Sequence, residues 1–458
     1  MYQDHQENAP RASNSYSATA PVRALRIGLL GLGTVGAGTW RVLQRNRQEI
    51  MARSGRALQI VLVAVRNLQR AQAIVGGDAE LTQDPFSVAT RADIDVVVEA
   101  MGGTLLARQL VLQAIAHGKH VVTANKALLA EHGAEIFAAA QTQGVIVAYE
   151  GAVAVSIPII KTLREGLVAN RIEWLAGIVN GTSNFLLSEM RDKGLSLAAA
   201  LQDAQARGFA EADPRFDVDG IDAGHKISLL AAIAFGTPVD FAQIPVQGIA
   251  DIEAQDMAYA EQLGYRIKLL GIARRVPGGM QVAVYPALVA ADHMLAHVHG
   301  AMNAVLVHSD AAGLGLYYGA GAGSEQTASA VIADLVDVAR MESAAPEQRV
   351  PALGFHRHAM QTLPLQPLAD SRNAWYLRIH CSAAPQTERA LLRILRRCGV
   401  QARIHGRYTQ ADRSLHHVLL TQTVAQPALH LALEQLALLP GLRSQVIALR
   451  LERLDGLR

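Results

Sequence analysis

From Leu25 onward the apolar positions alternate between short continuous runs and longer periodic stretches. Leu25-Arg26-Ile27-Gly28-Leu29-Leu30 is a compact apolar run followed by glycine, the pattern of a buried parallel strand. A helical stretch is predicted from 35 to about 51. Further strands are predicted at 59–65, 95–100, 120–123 and 145–148, with helices at 105–117 and 128–143. Apolar strands alternating with amphipathic helices make βαβ units, hence an α/β fold with a parallel sheet.

The middle of the chain mixes longer helices with strands at 171–179 and 281–287, and 327–340 reads as one more long helix. A stretch rich in Pro, His and Gln follows and has little periodicity, so it reads as a linker. Beyond it, strands at 374–380, 415–423 and 446–451 and helices at 386–398 and 428–439 imply a βαββαβ order, a small ferredoxin-like module. The expected division is a disordered tail over 1–23 and a dinucleotide-binding domain over 24–150, completed by 321–345. An α+β substrate-binding and dimerisation domain over 151–320, a linker over 346–370 and the module over 371–458 complete it. No internal repeat interrupts this order.

Composition narrows the function classes. Half of the 458 residues are hydrophobic and 18% are charged, enough for sizeable cores. The net charge of +2, with no concentrated Lys and Arg, argues against nucleic acid as a partner. No apolar run reaches the roughly 18 residues of a membrane span, and the first twenty residues lack a signal peptide's basic start and apolar centre. Two cysteines, Cys381 and Cys398, are too few for a disulfide framework, so a cytoplasmic location is expected.

Gly31-Leu32-Gly33-Thr34-Val35-Gly36 is a GxGxxG between a predicted strand and a predicted helix. Gly31 permits the tight turn, Gly33 lets the backbone approach a pyrophosphate, and Gly36 lets helix and strand pack closely. Thr34 and Val35 open the helix whose N-terminus favours the phosphates, so a Rossmann-type domain is predicted. The alternative is a glycine turn used only for packing. An acid at the end of the second strand would favour NAD; here Arg66 stands there with Arg70 behind it. A cation suits a 2′-phosphate, so NADP is favoured with NAD possible, unless Arg66 is a solvated surface residue.

Three further segments carry charge where packing does not need it. They are Thr123-Ala124-Asn125-Lys126-Ala127-Leu128-Leu129-Ala130 after a buried strand, Val179-Asn180-Gly181-Thr182-Ser183-Asn184-Phe185 at a strand-to-helix junction, and the acidic run from Gly208 to Lys226. Asp222 and Lys226, four apart, share one helical face and taken alone would suit an ordinary surface pair.

In this order, together with the glycine loop and the later Gly-Ala-Gly-Ala-Gly-Ser-Glu-Gln run at 319–326, the segments closely resemble homoserine dehydrogenases over about 25–340. The resemblance implies NAD(P)H-dependent interconversion of L-aspartate 4-semialdehyde and L-homoserine in threonine and methionine biosynthesis. No kinase segment precedes the loop, so the monofunctional form is expected. By the same resemblance Lys226 is the acid/base group, Asp222 orients it and contacts substrate, and Lys126 lies near both nicotinamide and carbonyl. Glu211 and Asp217 are substrate-side carboxylates, and Gly208 and Gly323 approach the cofactor. The chemistry agrees: aldehyde reduction needs a proton for the developing alkoxide, and a site cation would stabilise that oxygen.

The resemblance also implies a monovalent cation such as sodium, held by oxygens of Glu150, Val153, Val155 and Ile157. Val155-Ser156 departs here from the small, glycine-like pair of relatives, and a plain strand-to-helix turn is the alternative. The last module is similar to an ACT domain, but Cys381-Ser382-Ala383-Ala384-Pro385-Gln386-Thr387 lacks the acid and glycine of the usual effector turn. A small-molecule substrate and a homodimer or higher homo-oligomer are expected. Two other functions fit less of the sequence: a dehydrogenase for another semialdehyde, and an inactive amino-acid sensor that kept the dinucleotide domain.

Overall fold

The computed structural model describes residues 23–454. The tail expected over 1–23 therefore lies outside the described residues except for Arg23, which pairs with Asp95 at 3.0 Å. Six parallel strands form the first sheet: β1 (Leu25–Leu30), β2 (Leu58–Ala64), β3 (Glu80–Thr82), β4 (Val96–Glu99), β5 (His120–Thr123) and β6 (Val147–Ala148). Their order is β3-β2-β1-β4-β5-β6. The chain thus leaves β1 toward one side through β2 and toward the other through β4, which opens a crevice at the carboxyl end of β1. Helices cover both faces, which is why Val96, Val97 and Val98 are all fully buried.

The single helix expected over 35–51 is two, Thr34–Arg45 and Arg47–Ser54, broken where Asn46 leaves the helical region. Asparagine competes for backbone hydrogen bonds and holds a helix poorly, a local effect that the apolar period hides. The strand expected over 145–148 is shortened to β6, and Ile146 N donates instead to His120 Nδ1 at 2.9 Å.

The Ser324–Met341 helix returns to this domain and lies on the Thr34–Arg45 helix. Gly38 permits the approach, since a Cβ there would stand 2.5 Å from Ser324 O. Ala328, Val331, Leu335 and Val338 bury one stripe of it in the core of the first sheet.

The remaining strands form one mixed sheet. They are β7 (Ile172–Ile178), β8 (Tyr265–Val276), β9 (Gly279–Ala290), β10 (Met302–Ser309), β11 (Gly313–Ala320), β12 (Arg372–Cys381), β13 (Ala402–Thr409), β14 (Leu415–Thr421), β15 (Val424–Ala425) and β16 (Ile447–Glu452). The order is β11-β10-β7-β8-β9-β16-β12-β14-β13, with β15 beside β12. The Ile221–Phe235 helix packs against this sheet and is buried along nearly its whole length. Gly271 on β8 lets it settle, as a Cβ there would press on Ile227 at 3.1 Å.

The last ninety residues do run strand, helix, strand, strand, helix, strand, but they are not a bead on a string. β16 pairs parallel with β9, Arg450 opposite Ala287, and antiparallel with β12. The segment read as a linker is a strap tied at several points. Tyr149 Oη donates to Ala352 O at 2.8 Å, and Met280 N donates to Pro364 O at 3.0 Å. Gln281 Nε2 donates to Pro367 O at 3.0 Å. Backbone atoms and a packed Phe355, against Gly236, fix it without any periodic pattern. Among the described residues no helix is long and apolar enough to cross a membrane.

Candidate active site

The glycine loop leaves β1 into the crevice. Gly31 has φ +94°, a region that favours glycine, and a Cβ there would stand 2.9 Å from Ala100 O. At Gly36 a Cβ would stand 2.1 Å from Gly31 O, so this glycine serves close packing. Nothing stands within 4 Å of a Cβ at Gly33, which is open space of the kind a pyrophosphate fills. The residues present therefore fit a dinucleotide. The adjoining cavity, about 850 Å³, is lined by Gly31, Gly33, Arg66, Arg70 and Gly102 among others, a volume in the range of cofactor pockets. Thr34 and Val35 do not line it: Thr34 O accepts from Ser324 Oγ and Val35 O from Thr39 Oγ1. Arg66 and Arg70 are exposed at its wall and, among the described residues, make no ion pair.

Glu99, which the sequence reading left as a strand residue, organises the far rim. It is fully buried, accepts from Met101 N at 2.9 Å and Gly102 N at 3.3 Å, and takes the Thr123 hydroxyl at 2.7 Å. Asn125 Nδ2 then reaches Gly103 O at 2.7 Å and caps the Lys126–Gln143 helix. One carboxylate thus ties the turn after β4 to the start of the helix that carries Lys126. A carboxylate closing a run of three valines was the signal for it.

Lys126, Asp222 and Lys226 come together. Asp222 Oδ1 lies 3.0 Å from Lys126 Nζ, and Oδ2 lies 2.8 Å from Lys226 Nζ. Asp222 and Lys226 are both nearly inaccessible, so the pair is not the ordinary surface pair its spacing also allowed. Lys226 also donates to Val179 O at 2.7 Å, which Asn303 Nδ2 holds at 3.2 Å. Asn180, quoted in its motif but given no role, donates to Asp222 at 2.7 Å and to Asp217 at 2.6 Å. An asparagine capping a helix straight after an apolar strand was its only mark.

Burial opposes the charge on every member, and the outcome differs with the neighbours. Burial, with Lys126 nearby, pushes the Lys226 ammonium below its ordinary range against the pull of Asp222. At Lys126 burial is outweighed by the field and hydrogen bond of Asp222 together with the fields of Asp217 and Glu211, and the ammonium is held above its range. At Asp222 burial is outweighed by the two lysines, and the carboxyl sits well below the usual range. Asp217 is pushed up by burial and by Asp222. Two carboxylates and two ammonium groups with separated proton affinities suit acid–base work.

Glu211 stands apart, exposed on the loop that follows Gly208, and reaches Lys126 only through its field. Gly208 has φ +74° with open space around it, and Gly323, at φ +141°, caps the Ser324–Met341 helix. The loop is pinned by Thr182 Oγ1, which donates to Phe209 O at 2.9 Å. Phe216 closes over Lys126 with the ammonium 5.7 Å from the ring centroid.

In the candidate cation turn Ala154 and Val155 have φ +52° and +48°. A β-branched residue in that region is strained, as residues at functional turns often are. Glu150 is buried, accepts from Ile160 N and Lys161 N, and donates its own N–H to Asp334 at 2.8 Å. Burial pushes its carboxyl up to about 7. Ile157 O already accepts from Ile159 N, whereas among the described residues the carbonyls of Val153 and Val155 accept no hydrogen bond. An acidic, strained turn with unpaired carbonyls fits a monovalent cation.

Comparison with known proteins shows the family of the chain. A family model described as homoserine dehydrogenase matches residues 158–336, and one described as the homoserine dehydrogenase NAD-binding domain matches 31–150. A homoserine dehydrogenase of Pseudomonas aeruginosa is 48% identical over 436 residues, covering 95% of this chain and all of the relative. One from Neisseria gonorrhoeae is 46% identical, covering 94% of this chain and all of the relative. The crystal structure of a homoserine dehydrogenase from Thiobacillus denitrificans is 51% identical with TM-score 0.89, covering 95% of this chain and all of that one.

Proposed function

The chain belongs to the homoserine dehydrogenase family, and on that premise we propose how its own residues carry the NAD(P)-dependent interconversion of L-aspartate 4-semialdehyde and L-homoserine. Asp222 shared between Lys126 at 3.0 Å and Lys226 at 2.8 Å carries the reading. The nicotinamide, when bound, supplies the hydride that the aldehyde carbon accepts. Lys226 gives a proton to the developing alkoxide oxygen in reduction and takes it back in oxidation. Its lowered proton affinity suits both directions. Asp222 keeps both lysines in place and charged in turn, and Asn180 holds Asp222 at a fixed height. Lys126 would lie near both the carbonyl and the nicotinamide and stabilise negative charge on the oxygen. Glu211 and Asp217 receive the substrate's α-ammonium side, and the Phe216 ring flanks the Lys126 ammonium.

Gly31 and Gly33 would hold the dinucleotide with Lys126, Gly208 and Gly323, while Thr34 and Val35 open the helix behind the loop and Gly36 packs it against the strand. Arg66, supported by Arg70, would meet a 2′-phosphate and favour NADP. Glu150, Val153, Val155 and Ile157 would hold a sodium ion, with Ile157 the weakest member because its carbonyl is already used. The same reading takes residues 371–454 as an ACT-like module serving assembly or stability, the enzyme as a homodimer or higher oligomer, and its place as the cytoplasm. Its support is the open edge strand β11, with Leu314 and Tyr318 exposed, and two cysteines that form no disulfide. Steady-state assays with homoserine against NADP and NAD test the central claim. Turnover of another ω-hydroxy amino acid in preference to homoserine would overturn the substrate roles given to Glu211 and Asp217.

A further inference from the structure

A second cavity lies far along the mixed sheet from the glycine loop, where the C-terminal strands meet the loop between the Ile221–Phe235 helix and β8. It has a volume of about 220 Å³, below the usual range for nucleotide- or drug-sized ligands. Arg450 of β16 and Trp375 of β12 stand in its wall, 6% and 5% exposed. The Arg450 guanidinium is stacked between two rings, 4.3 Å from Tyr285 and 4.5 Å from Trp375. Its Nη2 donates to Gln426 Oε1 at 3.0 Å.

Among the described residues no carboxylate pairs with Arg450. Glu452, two residues on, is already committed to Arg274 at 3.1 Å and to the Tyr285 hydroxyl at 2.8 Å. Arg450 Nε and Trp375 Nε1, on two of the residues that line the cavity, are buried against protein and without a hydrogen-bond partner. A guanidinium cannot shed its proton in a protein, so a buried one without a counter-ion carries its full desolvation cost. Aromatic stacking and the single bond to Gln426 offset part of that cost and leave the guanidinium without a charged partner.

We infer that this cavity binds a small organic monocarboxylate, its two oxygens meeting the Arg450 edge between the Tyr285 and Trp375 rings. A planar carboxylate matches the guanidinium fork. Leu429, Leu433 and Val446 give a short apolar tail somewhere to lie. Asp251 also lines the cavity and disfavours a second negative charge on the ligand, which sets a monocarboxylate apart from phosphate. The cavity is built from helix residues 426–433, β16 and the 247–252 loop, not from the Cys381–Thr387 turn.

The test uses the full-length protein, sodium butyrate as probe and tryptophan fluorescence as readout, with sodium phosphate at equal ionic strength beside it. Wild type is expected to give a saturable change with butyrate and none with phosphate. The change should vanish in Trp375→Phe, and Arg450→Gln should weaken apparent affinity at least tenfold. Leu433→Phe, which narrows the cavity from its partly exposed side, should abolish the response while homoserine turnover stays normal. That variant decides the matter if Arg450→Gln does not fold. No saturable change in wild type, an equal response to phosphate, or an unaltered response in Leu433→Phe or Trp375→Phe overturns the inference.

Discussion

Lys226 and Asp222 lie one helical turn apart, both buried, with Nζ 2.8 Å from Oδ2 and the lysine's remaining reach taken by Val179 O at 2.7 Å. The lysine proposed to carry the proton is thus held by a carboxylate on one side and a backbone carbonyl on the other. Lys226→Ala should lower kcat at least about a hundredfold, the usual worth of a positioned acid–base group, with the cofactor's Kd little changed. Stopped-flow turnover and cofactor titration of the folded variant check it, and near-normal turnover would remove Lys226 from the chemistry.

Asp222→Asn should damage stability as well as rate. It leaves Lys226 buried without a compensating charge, which typically costs about 3 kcal/mol or more. Urea unfolding at pH 7 measures this; a variant as stable as wild type would mean that Lys226 is neutral in the folded state.

Arg66 is proposed to favour NADP over NAD. kcat/KM is expected to be higher with NADP than with NAD, and Arg66→Ala should narrow the gap by roughly 1–3 kcal/mol, the worth of a charge-assisted hydrogen bond. A wild type that prefers NAD would mean that Arg66 faces solvent in the complex.

Glu150 sets a pH window for the cation turn. Burial raises its carboxyl from 4.5 to about 7, so the folded protein holds this proton more tightly than the unfolded chain. Stability from this group is full below about 4.5, declines as pH rises toward 7, and is flat above. The buried Asp334 beside it is raised too and acts in the same direction. A cation bound at Glu150 favours the ionised form. Melting curves at pH 5 and pH 8 should therefore show sodium chloride raising Tm over choline chloride only at pH 8, with Glu150→Gln removing the difference. Equal Tm in both salts at pH 8 would argue against the site.

Threonine should leave the rate unchanged up to millimolar concentration. The turn that would meet an amino acid's charged ends carries Ala383, Ala384 and Pro385, and Ser382 Oγ is engaged with Thr387 Oγ1 at 2.9 Å. A saturable drop in rate would show an effector pocket elsewhere.

The Rossmann sheet was legible because Leu25–Leu30 and Val96–Glu99 are buried on both faces and bounded by glycine or helix signals. Lys126, Asp222 and Lys226 were legible through motifs, and their meeting is a product of tertiary folding that spacing alone could not give. Glu99 and Asn180 were missed because each acts on other site groups, through backbone amides or a neighbouring carboxylate. β13 was not located, since its half-exposed, alternating positions carry Arg403, His405, Arg407 and Thr409 on the open side. The strap over 346–370 was read as a plain connector because its anchors are carbonyls and amides, which leave no trace in side-chain pattern.

The pairing of β16 with β9 makes the C-terminal segment a structural debt of the middle domain. If residues from Ser371 onward were deleted, β9 would lose its partner over Ala287, Leu288 and Val289 and present that apolar, unpaired backbone to solvent. Such an exposed edge recruits other chains. A truncated enzyme with every catalytic group intact should therefore precipitate or assemble aberrantly, so its loss of activity would report colloidal failure and not the loss of a regulator.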